Sequence, residues 1–147
     1  IVFSSHMQGN DIEKVVETDK FKGMLIGYNA LNYRFRQSGI EAAHKNGMGV
    51  VVMNPLGGGM IPQNPDAFKY LTEGMDLTVP QAALRFVASH KEITVTLAGC
   101  TTKAHVDDAV KAVENLQEMT AKEVVKKYED KGVSLNNLCT GCGYCVQ

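Results

Sequence analysis

Tryptophan is absent from the 147 residues, proline occurs only four times, and all aromatic residues together make up 7%. A core must therefore be filled largely by aliphatic side chains, and 44% apolar content suffices for one domain of ordinary size. Net charge is nearly absent too: 15 basic residues stand against 16 acidic ones, with no cluster of Lys and Arg. That balance leaves no electrostatic footprint for nucleic acid or an anionic membrane surface, so neither partner is expected. No apolar run approaches the roughly 20 residues of a spanning helix, and the stretch from Val50 to Met53 is far too short. The chain lacks an initiator Met at Ile1 and runs straight into strand-like residues, so Ile1 is not expected to be the native start.

What the chain does have is cysteine in one place. Cys139, Cys142 and Cys145 stand at two-residue intervals with small residues between them, a spacing that lets three thiolates converge on one iron–sulfur cube. Gly141, Gly143 and the lack of nearby charge favour a tight metal loop over free thiols on a tail; zinc is the other metal such a loop could take, and would want a fourth ligand. In a C-x2-C-x2-C-x3-C-P run the fourth cysteine would fall beyond Gln147, so the site reads as cut. Cys100, alone beside a strand, reads as a small buried hydrophobe. Thiolate ligation points to a reducing compartment, and the cytoplasm is expected.

Short β-rich runs alternate with helical patterns at a period of about 28 residues, which predicts parallel strands joined by crossover helices. Strands are expected at Ile1 to Ser5, Met24 to Leu31, Gly49 to Met53 (buried on both faces) and Ile93 to Ala98. Helices are expected from an Asn10 or Asp11 cap with Ile12, Val15 and Val16 inward, near Gln37 to Lys45, and from Pro80 with Ala83, Leu84 and Val87 inward. A further helix, capped by Thr101 or Thr102, carries Val106, Val110 and Val113 at core spacing. A capping box from Thr120 to Glu123 opens a last helix that closes near Gly132. The fold class is α/β: residues 1–132 form four βα units, half of an eight-fold TIM barrel, followed by a tail over 133–147 that carries the cysteines. Half a barrel leaves open edges, which a missing N-terminal half, a second copy or rearrangement into an open sheet would have to settle.

Phe3-Ser4-Ser5-His6, Tyr28-Asn29, the run from Gly49 to Gly59, Pro80 to Phe86, Gly99 to Asp108 and Cys139 to Cys145 follow one another in family order. On these segments the chain resembles the C-terminal half of an aldo-keto reductase, of the bacterial branch with a cluster-binding extension. The resemblance implies hydride transfer from NADP(H) or NAD(H) to a small carbonyl substrate, with a tyrosine delivering the proton. It places the catalytic tetrad on four strands that have no counterpart here, so this chain alone is expected to be inactive, with no catalytic residues of its own. It assigns cofactor binding to Ser4, Ser5, Met53, Pro55, Leu56, Gly59, Gly99, Thr101, Thr102, Lys103 and Asp108, and a [4Fe-4S] cluster to Cys139, Cys142 and Cys145. Lys103 favours the phosphorylated nucleotide. Ser5, Leu25 and Ala109 stand where the family places Asn, Gln and Asn, which removes expected hydrogen bonds.

The residues allow plainer readings as well. Gly57-Gly58-Gly59 lacks the Lys and Ser or Thr of a P-loop and reads equally as a turn. His6 lies at a strand's carboxyl end, where barrel enzymes keep their sites; His44, His90 and His105 read as helix-surface residues, with His90 near a helix C-terminus. The other class of function is a non-catalytic half-barrel module that pairs with its own copy and uses the cysteines for a cluster or zinc, in electron transfer or structure.

Overall fold

The computed structural model describes residues 1–129 and 131. Four parallel strands, β1 (Val2–Ser5), β2 (Gly23–Gly27), β3 (Gly49–Met53) and β4 (Val95–Thr96), lie side by side in chain order. Seven helices follow the same order: α1 (Gly9–Val16), α2 (Tyr33–Lys45), α3 (Met60–Gln63), α4 (Pro65–Phe68), α5 (Val79–Ala88), α6 (Lys103–Val113) and α7 (Ala121–Tyr128). Each crossover returns the chain to the same edge, the arrangement that parallel pairing demands.

Register separates the sheet into two unlike faces. Phe3, Met24 and Val50 share one row and Ser5, Ile26 and Val52 another; the β2 and β3 members of these rows are fully buried against the helices. The alternate rows hold Ser4, Leu25, Val51 and Val95, with Val2 and Met53 at their ends. Val2 and Val95 on this face are 58% and 43% exposed. The unbroken apolar run of β3 therefore does not report burial on both faces: only Val50 and Val52 are enclosed, while Val51 and Met53 are half-buried.

Other expectations are also corrected. β2 ends at Gly27 because Asn29 and Asn32 seize the next backbone: Asn32 Oδ1 accepts from Asn29 N at 3.0 Å and Asn29 Oδ1 accepts from Leu31 N at 2.9 Å. That Asx turn also starts α2 at Tyr33, earlier than expected. α1 begins at Gly9, ahead of the Asn10 or Asp11 cap, because Gly9 nests against α2: a Cβ there would stand 2.1 Å from Ser38 Oγ. β4 keeps only two residues of the expected six. The 28-residue period fails between β3 and β4, where a Gly-rich turn, α3, α4 and a further 3₁₀ turn intervene.

α6 departs furthest from its pattern. Val106, Val110 and Val113 are each about half exposed, at 48%, 55% and 47%, while Ala112 is fully buried. α6 packs on α5 through its small side, where Ala109 and Ala112 permit close approach, and its valine stripe faces away. His90 is buried rather than on a surface, at 1% exposure, and Cys100 is exposed rather than buried. α7 opens with the expected capping box, Glu123 N donating to Thr120 Oγ1 at 3.2 Å, but closes at Tyr128. The tail with Cys139, Cys142 and Cys145 lies outside the described residues.

The turn after β3 is the place where glycine is required. Gly57, Gly58 and Gly59 hold φ of 63°, 65° and 92°, and a Cβ on Gly57 would stand 2.9 Å from Leu31 Cδ1. Gly57→Ala is expected to cost about 1–3 kcal/mol through left-handed strain and crowding. Urea unfolding should show a lower midpoint at unchanged slope.

Candidate functional site at the carboxyl ends of the strands

All four strands run the same way, so their carboxyl ends and the loops that follow form one rim. Ser5 closes β1, Gly27 closes β2, Met53 closes β3, and the segment 97–102 leads from β4 into α6. In open and closed parallel sheets alike, this rim is where the fold keeps its sites.

At the β1 end the hydroxyl of Ser5 is committed locally: it accepts from Met7 N at 3.0 Å, and the residue is 4% exposed. Ser4 is exposed on the open face, in the same row as Leu25. The two strand ends are tied by Arg36 from the first turn of α2, whose guanidinium donates to His6 O at 2.8 Å and to Gly27 O. Burial without a carboxylate partner pulls Arg36 below the usual guanidinium range. Nothing in the local sequence marks Arg36 for this role, since both acceptors are main-chain atoms brought near by the sheet.

At the β3 and β4 ends a cavity of about 220 Å3 opens between the Gly-rich turn and the starts of α5 and α6. Of the expected binding residues, Leu56, Gly99 and Asp108 line it, together with Pro62, Pro80, Leu84, Ala98, Cys100 and His105. Its walls are mostly apolar. Asp108 is the acid among them, and Gln81 Nε2 donates to its Oδ1 at 2.7 Å. That bond holds the carboxylate in place and leaves its second oxygen for another donor. Gln81 is itself fixed by the α5 capping box, donating its N–H to Thr78 and accepting from Thr78 N at 3.0 Å. Gln81 was legible in the sequence as the third position after Thr78, the spacing of a capping box.

Thr101, Thr102 and Lys103 form the entrance to α6. Thr102 is the cap, its Oγ1 accepting from His105 N at 3.3 Å. Thr101 N donates to His105 Nδ1 at 3.3 Å, which leaves that nitrogen unprotonated and puts the ring proton on Nε2. His105 lies exposed on α6, as its reading as a helix-surface residue has it, and it also lines the cavity. Lys103 Nζ pairs with Asp107 Oδ2 at 2.8 Å, both side chains exposed. An exposed pair of this kind is worth about 0–1 kcal/mol, so the lysine can exchange partners at little cost. Pro55 is buried below the turn, Gly59 shapes it, and Met53 stands half-buried at the strand end. Of the expected binding residues, Ser4, Ser5, Met53, Pro55, Gly59, Thr101, Thr102 and Lys103 do not line the cavity. Among the described residues no group of three or more metal-binding side chains is found.

Residues 5–129 match the model of the aldo/keto reductase family. Among solved structures the chain is similar to an aldo-keto reductase from Bacillus halodurans in its holo form, at 22% identity and a TM-score of 0.65. The match covers 88% of this chain and 49% of that one, so the chain spans about half the length of the reductase it resembles. The shared fold is that of a parallel α/β barrel part. No curated protein sequence matches the chain. With the family pattern running from the end of β1 past α7, the chain belongs to the aldo/keto reductase family.

Proposed function

We propose that this chain supplies the nucleotide-holding half of an NAD(P)H-dependent aldo-keto reductase. The observation that carries the reading is the apolar cavity at the rim, which sets one held carboxylate, Asp108, and one Nε2–H donor, His105, beside a helix N-terminus. Such a slot fits the flat, amphipathic base of a dinucleotide, and the free N–H groups at the start of α6 favour its phosphates.

When bound, the nucleotide supplies the hydride. The residues of this chain would hold it: Asp108 through its free oxygen at the base, Leu56 and Pro80 as apolar walls, and Thr101, Thr102 and Lys103 at the phosphates. Lys103 must leave Asp107 to do so, and Asp107 therefore weakens the preference for the 2′-phosphorylated form that Lys103 alone suggests. The nicotinamide end fits less well. Ser5 Oγ already accepts from Met7 N, and Leu25 beside Ser4 has no polar atom to offer.

On this reading the proton-donating half comes from four further βα units, seated on the open sheet face and on the valine stripe of α6. The polar side of α1, with Asn10, Asp11 and Lys14, is a poor match for that stripe, which speaks against a second copy closing the barrel. The three cysteines would hold a [4Fe-4S] cluster, with zinc as the other metal.

Titration of the chain with NADP and with NAD should give saturable binding, and Asp108→Asn should weaken both about 3- to 10-fold, the loss of one charge-assisted hydrogen bond. Unaltered affinity in that variant, or no saturation with either nucleotide, would sink the reading and leave a structural half-barrel as the better account.

A further inference from the structure

The outer side of α5 carries a second cavity, of about 260 Å3, enclosed by α5, α7, the link from Asn115 to Met119 and Met75. It shares no lining residue with the rim cavity, and none of its walls lies on the sheet or on α6.

Its charge is of one sign. Arg85 and Lys127 line it and no carboxylate does. Arg85 makes no ion pair among the described residues: the guanidinium donates to the main-chain carbonyl of Glu114, and its Nε is buried with no acceptor. The guanidinium therefore has no anionic partner among the described residues, and the terminal N–H groups that it does not give to Glu114 O remain for one. Lys127 sits over the Tyr128 ring at 5.4 Å, which keeps its ammonium at the cavity wall. The rest of the wall is mixed: Phe86, Leu116 and Met119 are apolar, and Ser89, Asn115 and Gln117 add neutral polar groups.

A cavity of this small size that joins two cations to apolar side chains selects a compact amphipathic anion. We propose that it binds a short-chain carboxylate, whose oxygens meet the Arg85 guanidinium and the Lys127 ammonium and whose alkyl body lies on Phe86, Leu116 and Met119. Phosphate would satisfy the charge but leave those side chains wet. Because the ligand touches α5, α7 and the link between them, binding pins α7 to the barrel and raises stability by mass action.

The test is calorimetric and thermal-melt titration of the full chain with acetate, hexanoate, hexan-1-ol and inorganic phosphate. Hexanoate should bind saturably, tighter than acetate by up to about 4-fold per methylene buried, with hexanol and phosphate giving no saturable shift. Lys127→Gln, an exposed position, should weaken hexanoate about 3- to 10-fold, and Arg85→Gln should abolish its binding. NADP affinity should be untouched in Lys127→Gln, which separates this site from the rim. Failure of hexanoate to saturate below about 10 mM, a shift by phosphate equal to that by hexanoate, or identical hexanoate binding in wild type and Lys127→Gln would each overturn the proposal. Should Arg85→Gln fail to fold, the lysine variant and the chain-length series still decide it.

Discussion

Acidification from pH 7 to pH 4 is expected to remove about 3 kcal/mol of stability through one residue, His90. Its Nδ1 lies 2.8 Å from the carbonyl oxygen of Phe86, which can only accept, so the ring proton sits on Nδ1. Nε2 is then bare, and Tyr28 Oη donates to it at 2.9 Å. Both side chains are buried, and burial pushes His90 from its ordinary 6.5 down to about 4. The folded protein thus keeps a neutral imidazole where the unfolded chain takes up a proton. Stability is full above pH 6.5 and is lost as the pH falls from there toward 4, since in that window only the unfolded state binds the extra proton. Urea midpoints measured between pH 4 and pH 8 should trace this slope. His90→Phe should flatten that part of the profile while costing about 1–3 kcal/mol at neutral pH, because the Tyr28 hydroxyl is left buried without an acceptor. Adding Tyr28→Phe should recover much of that cost, and a double mutant no better than the single would show that the pair is not coupled.

Phe86→Ala is expected to cost about 3–5 kcal/mol, enough to unfold most of a marginally stable domain at 25 °C. Phe86 is 2% exposed, and its ring meets four others: Tyr28 stacked at 6.4 Å, and Tyr33, His90 and Tyr128 edge-on at 5.4, 5.3 and 5.3 Å. Truncation removes both the transfer term and the aromatic contacts, and opens a cavity between α5, α2 and α7 that backbone relaxation cannot fill. Phe86→Leu should cost less, about 1–2 kcal/mol, since it keeps most of the volume. If guanidinium unfolding showed Phe86→Ala within 1 kcal/mol of wild type, the ring cluster would not be the joint that holds α7.

Much of this fold is legible in the sequence, and the reason differs from element to element. β3 was legible to the residue because Gly47 and Asn54-Pro55 bracket an apolar run, and α7 and α6 because Thr120 and Thr102 carry their caps in the local sequence. The extent of β2 was not, because Tyr28 is apolar and β-prone and the Asx turn that ends the strand depends on two asparagines bonding the backbone. The valines of α6 have the right spacing for a core and point away from it: periodicity reports that a helix has an apolar stripe, not what stands opposite. His90 was misplaced for the same reason, since its partner Tyr28 lies 62 residues away. The family pattern pointed to Asp108 and the Gly-rich turn, and of these segments Asp108 and Leu56 line the rim cavity. The Gln81 clasp on Asp108 and the Arg36 brace were not legible, because each is a contact between elements distant in the chain.

α7 has a geometric consequence for what lies beyond it. It begins beneath the sheet, where Ala121 N donates to Glu92 at 2.9 Å, and ends beside the first turn of α2, where Tyr33 Oη donates to Tyr128 O at 3.2 Å. Lys131 then pairs with Glu73. The helix is thus a return stroke that hands the chain back to the rim from which α6 departed. A chain ending directly after α6 would instead stand at the amino ends of the strands, with their whole height between it and the rim.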